Sequence, residues 1–451
     1  MTRTTKDDSL RESLERLAAA NRRIAAAYPG ERADRQPVHT VYGGAQLFGH
    51  DVAAKLGAAA LALLEEYAPD AGSFARAIGL PEGELAATVF ARVLDKLRHE
   101  PVEDFRIDFE DGYGVRPDSE EDGHATAAAT AMARGAIEHT LPPFVGIRIK
   151  PLTSELHPRS LRTLDLFLDT LLERTRGALP HHFVVTLAKI TAPEQIATLC
   201  DALDAIEKSA GLFPGAIPIE LMVETTQMIV GPDGRCLLPE FVHAARGRCR
   251  GAHFGVYDYT AALGITAADQ SLRHPACDFA RHVMQVALAG TDVTLSDGAT
   301  NVLPVPPRSA SAGLALSAAD REENRRTIHS AWRAHYDDVR HSLRHAYYQG
   351  WDMHPGQLPT RHAAVAAFFL EARDEAAARL RVFMEKAAQA TLLGNVFDDA
   401  ATGQALLNFF LRGMSCGALT EQDALATGLT LDELKSRSFA GILASRRQHV
   451  S

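Results

Sequence analysis

Arg106-Ile-Asp-Phe-Glu-Asp-Gly-Tyr-Gly114 is the stretch from which the rest of the chain can be read. Phe105, Ile107 and Phe109 alternate with Arg106, Asp108 and Glu110, and a period of two predicts a strand. Asp111-Gly112 and Gly114 predict a tight turn at its carboxyl end. Three carboxylates, Asp108, Glu110 and Asp111, therefore crowd one strand end. Like charges at that spacing repel, which calls for a cation or a proton close by. The same residues also read as acidic caps before the next helix, so the neighbouring elements have to decide.

On the amino side an amphipathic helix is predicted over 8–28, carried by Leu10, Leu14, Leu17 and Ile24. Pro37 to Gly44 follows as a strand with a glycine turn, then an alanine- and leucine-rich helix at about 50–67. The mixed stretch 69–83 reads as an insertion, and a helix at about 83–99 leads into the acidic strand. On the carboxyl side strands are predicted at 144–149, 182–187, 217–223, 252–255, 293–295 and 350–353. Helices fall between them at 121–138, 158–176, 193–210, 239–247, 275–289 and 316–348.

Eight strands alternating with helices predict an α/β protein with a closed (β/α)8 TIM barrel, its chemistry at the carboxyl ends of the strands. A doubly wound open sheet would need a glycine-rich phosphate turn after the first strand, and Gly43-Gly44 is a poor match. The expected organisation is an N-terminal helical extension over 1–36, the barrel over 37–358 and a helical C-terminal extension over 359–451. The extension comprises a long alanine-rich helix to 391, a Gly394–Ala400 segment, a helix to about 412 and a short helical tail.

Bulk properties narrow the function. The chain has 451 residues, 46% hydrophobic and 23% charged, ordinary values for a soluble globular protein. A net charge of −10, only 7% aromatics and no long basic run argue against a nucleic-acid surface. Cys200, Cys236, Cys249, Cys277 and Cys416 are scattered without a CxxC, which fits a cytoplasmic enzyme. No signal-like apolar core or membrane-length stretch is present, so no membrane partner is expected.

The predicted strand ends carry a ring of polar residues. After Asp108, Glu110 and Asp111 come Arg148 and Lys150, then Lys189, then Glu224, Thr225 and Gln227. Asp258 follows the sixth strand, Asp297 and Asn301 the seventh, and Asp352, His354 and Gln357 the eighth. Carboxylates from separate strands suit Mg2+ or Mn2+, hard ions that take oxygen ligands. No HExxH pattern is present, so zinc is less favoured at this mouth. A metal beside an arginine is the equipment for stabilising the enolate of a 2-oxo acid or thioester. Two alternatives stay open: Arg148 as a simple ion-pair partner of Glu110, and Lys189 as either a Schiff-base lysine or an electrostatic residue.

These motifs together resemble the HpcH/HpaI aldolase and citrate lyase β-subunit superfamily, especially its citrate-lyase-like branch. Ile107 to Gly112 resembles the D-L-E-D-G/A motif, Gly146-Ile-Arg-Ile149 the V-R-V-N strand and Leu187-Ala-Lys-Ile190 the P-K-V strand. Val223-Glu-Thr225 resembles I-E-T, and Gly255-Val-Tyr-Asp258 through Leu263-Gly264 resembles G-x-x-D-x-x-x-x-L-G. Ser296-Asp-Gly298 resembles the I-D-G turn and Met353-His-Pro-Gly-Gln357 resembles I-H-P-x-Q.

The resemblance implies a TIM barrel with Mg2+ (or Mn2+) held by Glu224 and Asp258. It implies Arg148 on the substrate's carboxylate or carbonyl oxygen, with Asp108, Glu110 and Asp111 behind the metal. Lys189, Gly255, Tyr257, Asp297, His354 and Gln357 are the expected substrate-binding set. Val396-Phe-Asp398 stands where relatives carry an M-I-D segment. That implies Asp398 as general acid/base, often donated to a neighbouring subunit of a homo-oligomer. The implied activity is a metal-dependent carbon–carbon lyase acting on a small carboxylate or CoA thioester. Alternatives are a malate-synthase-like condensing enzyme, an acyl-CoA thioesterase, or a non-catalytic binding subunit. Lys150 in place of the family's asparagine, Trp351-Asp352 in place of Gly-Lys, and the extra length leave the substrate's identity open.

Overall fold

The computed structural model describes residues 8–30, 34–310, 315–385, 391–393, 396–398 and 400–450. Helix α1 (Asp8–Ala27) precedes β1 (His39–Gly44). Then α2 (Val52–Tyr67), α3 (Ala71–Ile78) and α4 (Glu84–His99) lead to β2 (Asp104–Asp108). Helix–strand pairs follow: α5 (Asp118–Glu138) and β3 (Phe144–Ile149), α6 (His157–Thr175) and β4 (Phe183–Leu187), α7 (Pro193–Ala210) and β5 (Ile219–Val223). The short α8 (Thr226–Ile229) and α9 (Leu238–Ala244) precede β6 (Cys249–Phe254). Next come α10 (Val256–Ala262), α11 (Pro275–Leu288), β7 (Thr294–Ala299), α12 (Ala318–Arg344) and β8 (Gln349–Asp352).

The eight strands pair in sequence order, and β8 closes on β1 in parallel, with His39 opposite Gly350 and Val41 opposite Asp352. The expected closed barrel is therefore the architecture. Outward positions such as Ile107, Ile147, Val185 and Leu221 are fully buried under the helices. Both faces of these strands are covered, so their sequences need not alternate cleanly.

The inward face near the amino end is polar. Arg106 donates to Asp104 and Glu220, each at 2.8 Å, while Thr40 donates to Asp104 (2.8 Å) and Thr186 to Glu220 (3.0 Å). Buried charge is tolerated there because Arg106 is paired with both carboxylates, although its Nε and Nη1 find no protein partner. This layer forms a floor under the carboxyl mouth.

The stretch 69–83 is more ordered than an insertion implies. Its helix α3 opens with a reciprocal Asp70–Ser73 cap and closes on Gly79 in the left-handed region (φ 70°), packing on α4 and α12.

Beyond β8 the chain forms α13 (Leu358–Glu385), a hairpin of β9 (Thr391–Leu393) and β10 (Val396–Asp398), and α14 (Ala400–Ser415). Then come α15 (Glu421–Leu425), α16 (Leu431–Ser436) and α17 (Phe439–Val450). The long helix is described to Glu385, residue 391 already belongs to the hairpin, and the hairpin has no counterpart in the sequence expectations. The first half of α13 is the eighth helix of the barrel's outer layer. Arg361 donates to Asp352 (2.8 Å) and His362 meets the Pro101 carbonyl (3.0 Å).

Phe369 already stacks on Tyr348, just before the amino end of β8. The remaining sixteen residues of α13, about 24 Å at 1.5 Å each, continue away from the mouth. The hairpin packs mainly on α13 and α14. Helix α14 returns to the amino end, where Arg412 lies over the Tyr348 ring (4.1 Å) and bonds Gln36 (3.3 Å). Among the described residues, no helix is long and apolar enough to cross a membrane.

Candidate active site

The acidic strand end is built around Arg148. Asp108 and Arg148 are opposite each other in register on β2 and β3, both pointing inward. Arg148 grips Asp108 through two bonds, Nε to Oδ1 at 2.7 Å and Nη2 to Oδ2 at 2.6 Å, and Nη2 lies 3.3 Å from Glu110 Oε2. The turn completes the cradle: the N–H groups of Glu110 (2.9 Å) and Gly112 (2.7 Å) donate to Asp108. A side chain at 112 would put its Cβ 2.6 Å from Asp108 Oδ2, so glycine there is a requirement of space. Asp108 thus fixes the guanidinium plane, as a bidentate carboxylate does.

The rest of the guanidinium is free to act. Its carbon sits 4.9 Å from the Tyr42 ring and 5.2 Å from the Trp351 ring. Arg148 Nη1 and Trp351 Nε1 are both buried donors without a protein partner. Buried donors are nearly always bonded, so this pair marks a place for an acceptor oxygen. Tyr42 escaped the sequence reading, and Trp351 entered it only as a departure from the family's Gly-Lys, with no role in the site. Inward parity in the first and eighth strands was the signal that could have found them.

Lys189 stands at the carboxyl end of β4 with φ +49°, a left-handed conformation uncommon for a non-glycine residue. That turn aims its N–H at Glu224 Oε1 (2.5 Å). Its ammonium bonds Glu110 and Asp111 (2.9 Å for the latter) and lies 3.6 Å from Asp258. Burial lowers the Lys189 pKa, but the Glu110 contact and the other carboxylates outweigh it, and the net shift is upward. A Schiff-base lysine must be readily deprotonated, so this direction favours the electrostatic alternative. For Glu110, burial dominates and pushes the carboxyl up.

Glu224 is 2% exposed, inside the mouth at the end of β5. Burial, reinforced by the Asp258 carboxylate, pushes its carboxyl up to about 7 even with Arg148 and Lys189 near. Gly255 makes room for it, since a Cβ at 255 would lie 2.5 Å from Glu224 Oε2. Asp258 occupies the first turn of α10 and is the most open to solvent of the Lys189, Glu224 and Asp258 group. Five carboxylates (Asp108, Glu110, Asp111, Glu224, Asp258) thus face two cations (Arg148, Lys189). Fully ionised, the mouth carries three surplus negative charges and only oxygen donors, a donor set that fits a hard divalent ion.

Other expected residues lie elsewhere. Asp297 is a correction: it points outward from β7 and is consumed by Ser342 Oγ (2.5 Å), the Gly298 N–H (2.8 Å) and Arg281 (3.3 Å). Gln357 is another, because its amide bonds the Met353 N–H (2.9 Å) and the Thr300 carbonyl (3.0 Å) and clamps two loops. The Tyr257 hydroxyl is also taken, donating to the Ala299 carbonyl and accepting from the Asn301 N–H, both at 2.9 Å. His354 Nδ1 accepts from the Gly356 N–H (3.1 Å), and burial lowers its pKa, so it is neutral near pH 7. Lys150 points outward to Glu121 (2.7 Å). Asp398 is described through its backbone, opposite Thr391 in the hairpin, and its side chain lies outside the described residues.

A cavity of about 970 Å3 opens at the opposite end, lined by Ile137, Leu141, Phe144, Leu179 and His182 among others. It contains none of the groups above, so chemistry rather than volume singles out the mouth.

Residues 17–442 match a family model described as Domain of unknown function (DUF6986). Among curated proteins, none matches the sequence. Among solved structures, a citrate lyase from Burkholderia xenovorans LB400 superposes with a TM-score of 0.53 at 19% identity, over 77% of this chain and 94% of its own. That likeness supports the barrel fold. Haloferax volcanii malate synthase at 3 mM glyoxylate gives a TM-score of 0.46 at 14% identity, over 91% and 99% of the two chains. Its magnesium/glyoxylate complex gives 0.43 at 15%, over 92% and 98%.

Proposed function

The chain belongs to the family described as Domain of unknown function (DUF6986), and from that premise we propose that it is a divalent-metal-dependent carbon–carbon lyase. Its substrate would be a 2-oxo or hydroxy acid, or the CoA thioester of one, cleaved through an enolate. In the same reading the family is a branch of the HpcH/HpaI aldolase and citrate-lyase-like superfamily. The observation that carries the proposal is the pair of unpartnered buried donors, Arg148 Nη1 and Trp351 Nε1, beside the Glu224–Asp258 carboxylates.

Glu224 and Asp258 would hold Mg2+ or Mn2+, which when bound supplies Lewis acidity to a substrate carbonyl. The chain's own residues do the rest. Arg148 and Trp351 donate to the oxygen on which negative charge builds as the carbon–carbon electron pair becomes the enolate. Asp108 holds the guanidinium in place, so little reorganisation accompanies that charge. The Tyr42 and Trp351 rings keep water from Arg148. Asp398, supplied by a neighbouring copy in a homo-oligomer, takes the proton of the substrate's hydroxyl as the carbon–carbon bond breaks and returns it to the enolate carbon.

The test is turnover. Release of pyruvate, glyoxylate or acetyl-CoA would be followed from 4-hydroxy-2-oxo acids and from malyl- and citramalyl-type thioesters, with Mg2+ and with a chelator. Metal-dependent release is expected, reduced at least about a hundredfold in Glu224→Gln. Full activity in Glu224→Gln would overturn the mechanism.

A further inference from the structure

On the outside of the barrel, on the face where α11 and α12 pack against β7, four potential ligands converge. Asp278 and His282 are four residues apart on α11, and His341 and His345 are four apart at the carboxyl end of α12. That spacing places each pair on one face of its helix. One donor atom each from Asp278, His341 and His345 lies within 4.8 Å of the others. His341 Nε2 is 2.8 Å from Asp278 Oδ1. The His341 and His345 rings are 4.2 Å apart, and the His282 ring is 5.6 Å from that of His345.

A hydrogen bond to the backbone orients the His345 ring. Its Nδ1 lies 2.9 Å from the His341 carbonyl oxygen. A carbonyl can only accept, so Nδ1 is the donor there and Nε2 is the ring nitrogen left for a ligand. A backbone carbonyl holding the far ring nitrogen is the usual outer support of a metal-binding histidine. Asp278 and the imidazoles are half-buried, apart from the exposed His282.

We propose that Asp278, His341 and His345, with His282 as a reachable fourth donor, form a site for a transition metal of the Zn2+, Co2+ or Ni2+ class. Imidazole-rich donors select these ions over Mg2+, so this site and the all-oxygen mouth discriminate between metals. The ion replaces the proton shared by His341 and Asp278. It clips α11 to α12 directly over Arg281 and Ser342, which hold Asp297 of β7. Arg281, 3.6 Å from Asp278, is the one cation close to the carboxylate among the described contacts.

Untagged full-length protein would be titrated with Co2+ in excess Mg2+, following visible absorbance, and its melting temperature measured with and without Zn2+. Expected results are about one Co2+ per chain with a tetrahedral spectrum and a melting temperature raised by Zn2+. His345→Asn keeps a donor for the His341 carbonyl but lacks the free nitrogen. It should weaken Co2+ binding at least about tenfold while leaving metal-free stability intact. Glu224→Gln should leave the Co2+ spectrum unchanged. Should His345→Asn fail to fold, His282→Ala and Asp278→Asn serve in its place. Undiminished Co2+ binding in the folded variants, absence of binding by the parent protein, or loss of the spectrum in Glu224→Gln would each overturn the proposal.

Discussion

At the scale of single residues, the mouth is governed by a carboxyl kept from ionising normally. Glu224 has its pKa raised from 4.5 to about 7, chiefly by burial. Between those values the folded chain binds this proton more tightly than the unfolded chain does. Stability must therefore fall as pH rises through the window, by roughly 3 kcal/mol in all. Denaturation midpoints measured in chelator from pH 4.5 to 8 should show that slope, and Glu224→Gln should flatten it. An identical slope in the variant would mean another group is responsible. Residues of this kind were legible in the sequence because each lies at a predicted strand end, whereas the glycine that makes room for Glu224 was visible only in the structure. Glu224 faces Gly255, and Asp108 faces Gly112. The packing of Tyr42 and Trp351 on Arg148 was not legible, since an aromatic inside a strand looks the same whether it meets a helix or the barrel interior.

At the scale of elements, the face a side chain takes decides its role, and sequence reads faces poorly where both are buried. Asp297 was expected in the mouth, but β7 runs to Ala299, four residues past the expected end, and Asp297 turns outward to Ser342. Asp352 likewise faces outward. It accepts from Arg361 (2.8 Å) and meets His39 (2.8 Å) and His335 (2.9 Å), joining β8 to β1, α12 and α13. Burial alone would raise its pKa, yet Arg361 and the two imidazoles hold it well below the usual carboxylate range. Asp352→Asn strands Arg361 without a counter-charge. A loss of about 3–5 kcal/mol is expected in urea denaturation, with Mg2+ affinity of the folded protein unchanged. The β6–α10 corner behaves in the opposite way. Gly255→Ala pushes a methyl against Glu224, so calorimetry should show Mg2+ affinity reduced at least about tenfold, with a loss of stability of about 1–3 kcal/mol.

At the scale of the whole molecule, the barrel was readable from eight strand–helix alternations, whereas the hairpin that carries Asp398 was not. Two three-residue strands give too little periodicity to register. The fold makes their position consequential. Helix α13 leaves the mouth at Arg361, passes Tyr348 at Phe369 and continues beyond the amino end, with the hairpin packed on it and on α14. Asp398 thus belongs to the side of the molecule away from its own mouth. For it to deliver a proton at Glu224 and Arg148, the mouth must be that of another copy. Mixing two inactive variants tests this directly. In an assembly of Glu224→Gln and Asp398→Asn chains, a mouth built from an intact Glu224 and a neighbour's intact Asp398 is whole. Random assembly should make about a quarter of the mouths whole and restore about a quarter of the parent activity. If Asp398 served its own mouth, every mouth in the mixture would keep one defect, and activity would stay at the level of the separate variants. The measurement requires only that subunits be exchanged by denaturation and refolding, with each variant refolded alone as the control.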